Sequence, residues 1–161
     1  MNAANLDSGD GWRATHLGCL MGRALERFDA RVRELISASA EAPLALSNLA
    51  ARDQVGAAPI HITRHLPLGG ARVTELARRA GTTKQSMSTL VRECEAWGLV
   101  TRAPDPHDAR ARRIVFTAAG LDWLAAYKVA VTQAESEFQA AVGEAVTTVV
   151  KLGLEAYGSG G

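Results

Sequence analysis

Residues 71–117 read ARVTELARRAGTTKQSMSTLVRECEAWGLVTRAPDPHDARARRIVFT, and they carry the clearest structural pattern in the sequence. Its pattern predicts a helix over residues 73–80 and a second helix over residues 83–97, with Gly81 and Thr82 between them. Glycine tolerates the positive φ that ends a helix, and Thr82 opens the Thr-x-x-Gln spacing of a capping box. We therefore predict two helices joined by a tight corner.

The second of these helices has two different faces. Apolar side chains recur at intervals of three and four, as on a buried face: Met87, Leu90, Val91, Cys94 and Trp97. The other face has polar or cationic side chains and no carboxylate: Thr83, Lys84, Gln85, Ser88, Thr89 and Arg92. This composition suits the major groove of DNA, because base edges offer donors and acceptors while phosphates bind cations and hydroxyls. The helix alone is equally compatible with an amphipathic helix whose polar face is only solvated.

The residues that follow favour the DNA-binding interpretation. Residues 98–102 and 112–117 predict two short strands, and residues 103–111, which include two prolines, predict the connection between them. Cations crowd the tip and the returning strand: Arg110, Arg112 and Arg113. Such a tip can place an arginine in the minor groove. A solvated hairpin is the alternative, and in either case we expect Asp108 to pair with one of these arginines.

Four motifs occur in order within residues 73–117: VTELARRAG, TKQSMSTLV, WGLVTR and DPHDARARRIVFT. This series resembles the winged helix-turn-helix core of the MarR family of bacterial transcription regulators. The resemblance implies that residues 83–92 form the recognition helix, that Arg110 is the wing-tip arginine and that Asp108 is its carboxylate partner. Cys94 departs from the family, which more often has leucine there, but a small apolar residue suits a buried position.

The predicted DNA contacts combine the helix with the wing: Thr82, Thr83, Lys84, Gln85, Ser86, Ser88, Thr89, Arg92, Arg110 and Arg112. The distribution of charge agrees with them. Residues 71–116 hold nine Lys or Arg against five Asp or Glu, whereas the whole chain has a net charge of only +1. Binding to double-stranded DNA should therefore weaken as salt rises, because phosphate contacts release counterions.

Amphipathic helices are predicted on both sides of this lobe. Residues 12–36 carry a wide apolar stripe, and residues 118–157 predict a long helix, a break at Gly143 and a second helix. Such arms bury their apolar faces best against a second copy of themselves. MarR-like proteins are similarly built, which implies a homodimer that presents two recognition helices to a near-palindromic operator.

The predicted fold is mainly α with a small β-hairpin wing: a winged helix-turn-helix with N- and C-terminal dimerisation helices. Five segments are expected: a disordered N-terminus (1–10), an N-terminal dimerisation helix with a linker helix (11–57), the winged lobe (58–117), C-terminal dimerisation helices (118–157) and a disordered tail (158–161). Between the first helix and the lobe, residues 44–55 and 59–66 look helical and residues 67–70 predict a turn. The segment 37–57 is longer than the family pattern.

Four side chains are candidates for an effector site, since small effectors of MarR-like proteins bind between the dimer helices and the DNA-binding lobe: Trp12, His16, His61 and His65. His61 and His65 stand four residues apart, which is also the spacing of a metal clamp, but the local pattern has no Glu or Cys to complete it. We therefore predict a small-molecule effector, no metal and no cofactor.

Cys19 lies near the place where peroxide-sensing members of the family carry a reactive cysteine. Its neighbours at helical spacing, His16 and Arg23, are of the kind that activates a thiol. A small buried residue would give the same pattern, and no nearby tyrosine marks the second half of such a site. Thiol redox sensing at Cys19 is therefore the alternative to a ligand-responsive regulator.

An enzyme is the contrasting class. The sequence has no G-x-S-x-G, no phosphate-binding glycine loop and no paired metal motif. It also lacks an apolar run long enough for a membrane span, a signal-peptide pattern, and cysteine spacing typical of a disulfide framework or a zinc site. We therefore expect a cytoplasmic, non-enzymatic transcription regulator, and specifically a repressor that a small effector releases from DNA.

Overall fold

A computed structural model describes residues 11–39 and 57–159. In chain order the elements are α1 (Trp12–Thr15), α2 (Leu17–Ser37), α3 (Ala57–His65), α4 (Val73–Arg79), α5 (Lys84–Ala96), β1 (Val100–Asp105), β2 (Asp108–Phe116), α6 (Ala118–Val142) and α7 (Glu144–Gly158). The predicted fold class is confirmed, because these helices accompany a two-stranded antiparallel sheet. The predicted N-terminal segment 1–10 and the helical piece at 44–55 lie outside the described residues.

The chain divides into two compact units. The first contains the described parts of residues 1–32 and 134–161, and the second contains those of residues 33–133. Within the first unit, Arg31 donates from Nε to Glu137 Oε2 at 2.7 Å and from Nη2 to Oε1 at 2.9 Å. This two-point ion pair joins α2 to the C-terminal part of α6.

The second unit contains the predicted DNA-binding lobe. Helix α5 packs against α3, α4 and β1. Its inward face is confirmed at Met87, Val91 and Cys94, which are fully buried, whereas Leu90 and Trp97 are half-buried. Burial of each large apolar side chain contributes roughly 1.5–3 kcal/mol, so this face fixes the orientation of α5 and leaves its opposite face outside.

The corner between α4 and α5 differs by one residue from the prediction. Gly81 has a φ of +63°, and the Thr82 amide donates to the carbonyl of Ala77 at 3.0 Å, which closes α4. Thr83 is the N-cap of α5, since its Oγ1 accepts the Ser86 amide at 3.1 Å. The predicted capping box at Thr82 is wrong because that residue is used to end the preceding helix.

The hairpin is longer than predicted, and its turn is shorter. Its strands pair from Val100 opposite Phe116 out to Asp105 opposite Asp108, which leaves only residues 106–107 as the connection. The register shifts next to Pro104, which has no amide hydrogen to donate. The predicted connection was too long because its prolines are typical of loops, whereas a two-stranded sheet tolerates a proline at such an irregularity.

The residues before α4 tie the base of the wing to the helices. Ala71 donates to the Ile114 carbonyl at 3.1 Å, and Ile114 donates back to the Ala71 carbonyl at 2.8 Å. Gly70 has a φ of +78°, and a Cβ there would lie 2.6 Å from Ile114 O. Its amide donates to Pro67 O at 2.8 Å, which confirms the predicted turn over residues 67–70.

The terminal arms are helical with two breaks. His16 separates α1 from α2, so the first predicted helix is interrupted near its start. Gly143, at a φ of +91°, separates α6 from α7 as predicted. Thr117 caps α6 by accepting the Gly120 amide at 3.0 Å. Among the described helices, none combines the length and apolar character that a membrane crossing requires.

Candidate nucleic-acid interface

The N-terminal half of α5 presents the predicted polar strip to solvent. Most of the candidate side chains at the corner and on this helix are exposed: Thr82, Thr83, Lys84, Gln85, Ser86, Thr89 and Arg92. Ser88 is half-buried. The first turn of the helix contains no acidic residue, so the positive end of the helix dipole is not offset there. This end of α5 is therefore suited to an anionic partner.

Several of these side chains shape the surface by bonding to one another. Thr83 Oγ1 donates to Ser86 Oγ at 2.9 Å, and Arg92 Nη2 donates to Thr89 Oγ1 at 3.2 Å. Three others make no side-chain hydrogen bond or ion pair with any residue that the structure describes: Lys84, Gln85 and Ser88. Their donors and acceptors are available to a partner without breaking an internal contact.

The acidic residues near this surface are partly neutralised. Glu95, at the C-terminal end of α5, accepts from Arg102 Nε on β1 at 3.0 Å. Glu75 on α4 accepts from Arg79 Nη2 at 2.7 Å, one helical turn away. These pairs offset the charges of Glu75 and Glu95.

Two aspartates shape the wing tip. Asp105 Oδ1 accepts the amide of His107 at 2.9 Å, and Asp108 Oδ1 accepts the amide of Arg110 at 3.1 Å. Each of these contacts, from a side chain to an amide two residues on, is an Asx turn. The other oxygen of each aspartate faces Arg72, whose Nε lies 2.7 Å from Asp105 and whose Nη2 lies 3.5 Å from Asp108.

The prediction that Asp108 pairs with a wing arginine is wrong. Its ionic partner is Arg72, directly before α4, and it reaches Arg110 only through the backbone amide. Arg113 turns back from the wing and donates from Nη2 to Gly70 O at 2.5 Å. Arg110 and Arg112, two residues apart on β2, are exposed and form no ion pair within the described residues. They remain the wing cations that a nucleic acid can reach.

The carboxylate of Asp105 is held in its charged form. The hydrogen bond from Arg72 and, second to it, the amide of His107 lower the pKa of Asp105 below its usual value. The same contact raises the pKa of Arg72, which is already charged at any physiological pH. The ion pair between the wing and the start of α4 is therefore present throughout the neutral range.

Comparison with known proteins identifies this lobe. The sequence model of the MarR family matches residues 60–111, from α3 to the start of β2. The matched residues, which form most of this lobe, are similar to the MarR family. No curated protein matches the sequence.

Solved structures extend the likeness beyond the lobe. The transcriptional repressor CouR of Rhodococcus jostii RHA1, bound to a 23-mer DNA duplex, is 19% identical with a TM-score of 0.65, over 94% of this chain and 99% of that one. PcaV of Streptomyces coelicolor, with its natural ligand, is 19% identical over 99% of both chains with a TM-score of 0.60. A MarR-family protein of Mycobacterium tuberculosis, in complex with p-aminosalicylic acid, is 27% identical over 86% of this chain and 98% of that one, with a TM-score of 0.53. The described part of the chain thus has a fold similar to that of these regulators.

The four candidate effector side chains form two pairs. The ring centroids of Trp12 and His16 are 5.9 Å apart, and those of His61 and His65 are 6.4 Å apart. Burial, followed by the charges of His61 and Arg64, lowers the pKa of His65 and favours its neutral form. Among the described residues no three His, Cys, Asp or Glu side chains are grouped to hold a metal ion. Convergence of the two pairs on one effector stays a prediction.

The two cysteines lie in different surroundings. Cys94 is fully buried on the inward face of α5, and burial, assisted by the charge of Glu93, raises the pKa of its thiol to about 12. It is a structural residue of the lobe. Cys19 is half-buried, with Arg23 Nη2 at 3.4 Å from its Sγ and the His16 ring accepting its amide at 3.2 Å. Redox sensing at Cys19 stays a prediction.

Sequence reasoning missed Arg72 and Asp105, which meet at the base of the wing tip. One signal was present in the sequence, because helix N-caps are usually Ser, Thr, Asp or Asn and Arg72 occupies the N-cap of α4. Its side chain makes no cap hydrogen bond. An arginine at such a position indicates a partner elsewhere in the fold.

Proposed function

We propose that this MarR-family protein is a homodimeric, sequence-specific DNA-binding transcription regulator that acts as a repressor and is released by a small-molecule effector. The observation that carries the proposal is the exposed, carboxylate-free strip at the start of α5, in the same lobe as an exposed wing arginine. A helix of this composition suits the major groove, and a projecting arginine suits the adjacent minor groove.

Individual contacts follow from the chemistry of each side chain. Gln85 has an amide that can bond to both N6 and N7 of adenine, and Arg92 can bond to guanine in the same two-point manner. Lys84, at the first helical position, suits a phosphate. Thr83 is engaged in capping α5, so we assign it and Ser86 to phosphate positioning rather than to base recognition.

A second copy of the chain supplies the second recognition helix. Two such helices about one DNA turn apart read a near-palindromic operator. An effector that changes their separation or tilt prevents both from entering successive major grooves, which releases the DNA. Aromatic carboxylic acids are the first class to test as effectors, since p-aminosalicylic acid is the ligand in the related mycobacterial structure and the predicted effector residues are a tryptophan and three histidines.

A gel-shift titration with the intergenic DNA beside the protein's own gene tests the proposal. We expect Gln85→Ala and Arg92→Ala to weaken binding by roughly 1–3 kcal/mol and to relax sequence preference, because they remove base contacts. Arg110→Ala should weaken binding through the wing, and Lys84→Ala should reduce the salt slope by about 1 because one phosphate contact is lost.

Lys128→Ala is the matched control, because Lys128 is an exposed cation on α6, outside the proposed interface. It should bind DNA as the unmodified protein does. The assigned contacts would be refuted if Gln85→Ala, Arg92→Ala and Arg110→Ala all bound DNA as tightly as the unmodified protein. A native protein with no sequence preference in footprinting would refute the function itself.

A further inference from the structure

We propose that Arg72 is a positioning residue of the wing. Its guanidinium fixes the two turns at the wing tip and thereby sets the position of Arg110, the candidate minor-groove side chain. This inference rests on the proposed DNA-binding function and names a residue on which that function depends. Nothing in the helix-turn-helix motif itself requires an arginine at this position.

The position of Arg72 in the sequence already separates it from an ordinary surface cation. It is the N-cap of α4, where a short polar side chain would satisfy a free amide of the first turn. The arginine makes no such bond. Its side chain instead reaches partners 33 and 36 residues further along the chain, both of them in the wing.

The geometry links one guanidinium to two backbone turns. Nε of Arg72 donates to Asp105 Oδ2 at 2.7 Å, and Nη2 lies 3.5 Å from Asp108 Oδ2. The second oxygen of Asp105 accepts the amide of His107, and that of Asp108 accepts the amide of Arg110. Each aspartate therefore has one oxygen on Arg72 and one on the tip backbone, and the second turn ends at Arg110.

Burial indicates which of the two contacts is the anchor. The side chain of Asp105 is only 6% exposed, whereas that of Asp108 is 45% exposed and lies farther from the guanidinium. If Arg72 is removed, the buried carboxylate of Asp105 stays charged and keeps only one hydrogen-bond donor, the amide of His107. A buried charge without its partner is unfavourable. Loss of Arg72 should therefore open the turn at Asp105 first and release the Asp108 turn with it.

The contact of Arg72 with the two aspartates connects the wing tip to the helices. The bridge between Ala71 and Ile114 fixes the base of the hairpin by backbone hydrogen bonds. The tip extends beyond that bridge, and residues 106–107 are the only unpaired connection. Arg72 ties this tip to the helices, so that Arg110 is ordered before DNA arrives and binding does not have to order it.

The test compares Arg72→Ala with Arg79→Ala. Arg79→Ala is the matched control, because it also removes one cation, at the other end of α4. The only described side-chain contact of Arg79 is its ion pair with Glu75. Hydrogen exchange in the DNA-free protein should be at least about tenfold faster at the amides of His107 and Arg110 in Arg72→Ala, because a protected amide exchanges through local opening. Arg79→Ala should leave both rates unchanged.

Operator affinity gives the second readout, on a duplex carrying the sequence that the native protein protects in footprinting of its own intergenic DNA. Arg72→Ala should bind about tenfold more weakly than Arg79→Ala. Asp105→Asn should also weaken operator binding. Arg72→Lys should have an affinity between those of Arg72→Ala and Arg79→Ala, because one ammonium group cannot reproduce the fork of a guanidinium. Thermal unfolding of each variant checks that the lobe remains folded.

A double-mutant cycle separates positioning from direct contact. If Arg72 acts through Arg110, the variant with both arginines replaced by alanine should bind within about twofold of Arg110→Ala alone. Fold-changes that multiply, or unchanged exchange at His107 and Arg110, would overturn the proposal in favour of a phosphate contact by Arg72. A native protein without operator binding would refute the proposed function instead, while the exchange rates would still decide whether Arg72 holds the tip.

Discussion

Cys94 and Cys19 illustrate how surroundings decide the role of a residue. Both lie at helical spacing from apolar residues, so the sequence pattern alone is equally compatible with burial of either cysteine. Cys94 has no exposed surface on the inward face of α5, whereas Cys19 is partly exposed with a guanidinium 3.4 Å from its sulfur. Only the second can meet a reagent without local unfolding.

We predict that one thiol reacts with dithionitrobenzoate in the native protein at about pH 8 and that both react in denaturant, because a buried thiol is shielded and scarcely ionised. Cys19→Ser should abolish the native reaction, and Cys94→Ala should leave it intact. Rapid reaction in native Cys19→Ser would contradict the burial of Cys94. Absence of any native reaction would remove the basis for redox sensing at Cys19.

The raised pKa of Cys94 also makes a pH dependence testable. The fold favours its neutral thiol, so the stabilisation is complete below the unfolded pKa of about 8.5 and is lost as pH rises towards 12. Between about pH 8 and 10, the native protein should lose roughly 2 kcal/mol of unfolding free energy more than Cys94→Ala. Urea denaturation at the two pH values measures this difference.

The helices and strands of the lobe could be predicted individually, because each has its own hydrophobic periodicity and its own start and stop signals. The buried face of α5, the stop at Gly81 and the break at Gly143 are all local signals, and the structure confirms them. The pairing of Arg72 with Asp105 is not local, since 33 residues separate them and no spacing rule connects a helix cap to a hairpin tip. The shorter turn was missed for a related reason, because cross-strand pairing overrides the loop preference of proline.

The junction between β1 and α6 allows a prediction at the level of elements. Gly120 lies in the first turn of α6, and a Cβ there would lie 1.9 Å from Leu99 O and 3.1 Å from Phe116 Cδ1. The Leu99 backbone cannot give way easily, because its carbonyl accepts the Thr117 amide at 3.1 Å and its own amide donates to Cys94 O at 2.9 Å. Gly120→Ala should therefore lower the unfolding free energy by at least about 2 kcal/mol, measured by urea denaturation.

Gly22→Ala is the control for this substitution. Gly22 lies within α2, and a Cβ there would meet nothing within 4 Å. Because alanine favours a helix over glycine, the change should raise stability by roughly 0.5–1 kcal/mol. Similar effects of the two substitutions would mean that α6 does not approach the Leu99 carbonyl as closely as the structure indicates.

Helix α7 buries very little of its apolar surface within a single chain. Its only buried residue is Thr147. Large apolar side chains are exposed along it: Val146, Val149, Val150, Leu152, Leu154 and Tyr157. A helix of 15 residues is marginal in water without packing, and an apolar surface of this kind marks an interface. We therefore predict that a second copy of the chain covers this surface, because dimerisation would also supply the second recognition helix of the proposed regulator.

Val149→Asp tests this interface, since Val149 is 69% exposed and a carboxylate there would be desolvated on association. Light scattering during size-exclusion chromatography should give twice the chain mass for the native protein and a large monomer fraction for Val149→Asp at about micromolar concentration. Leu68→Asp is the control, because Leu68 is 73% exposed but stands alone in the turn over residues 67–70. The Val149 variant should also lose operator affinity with its α5 surface intact, because one lobe reaches only one half-site. A native monomer that binds the full operator, or a Val149→Asp dimer as stable as the native one, would contradict dimerisation through α7.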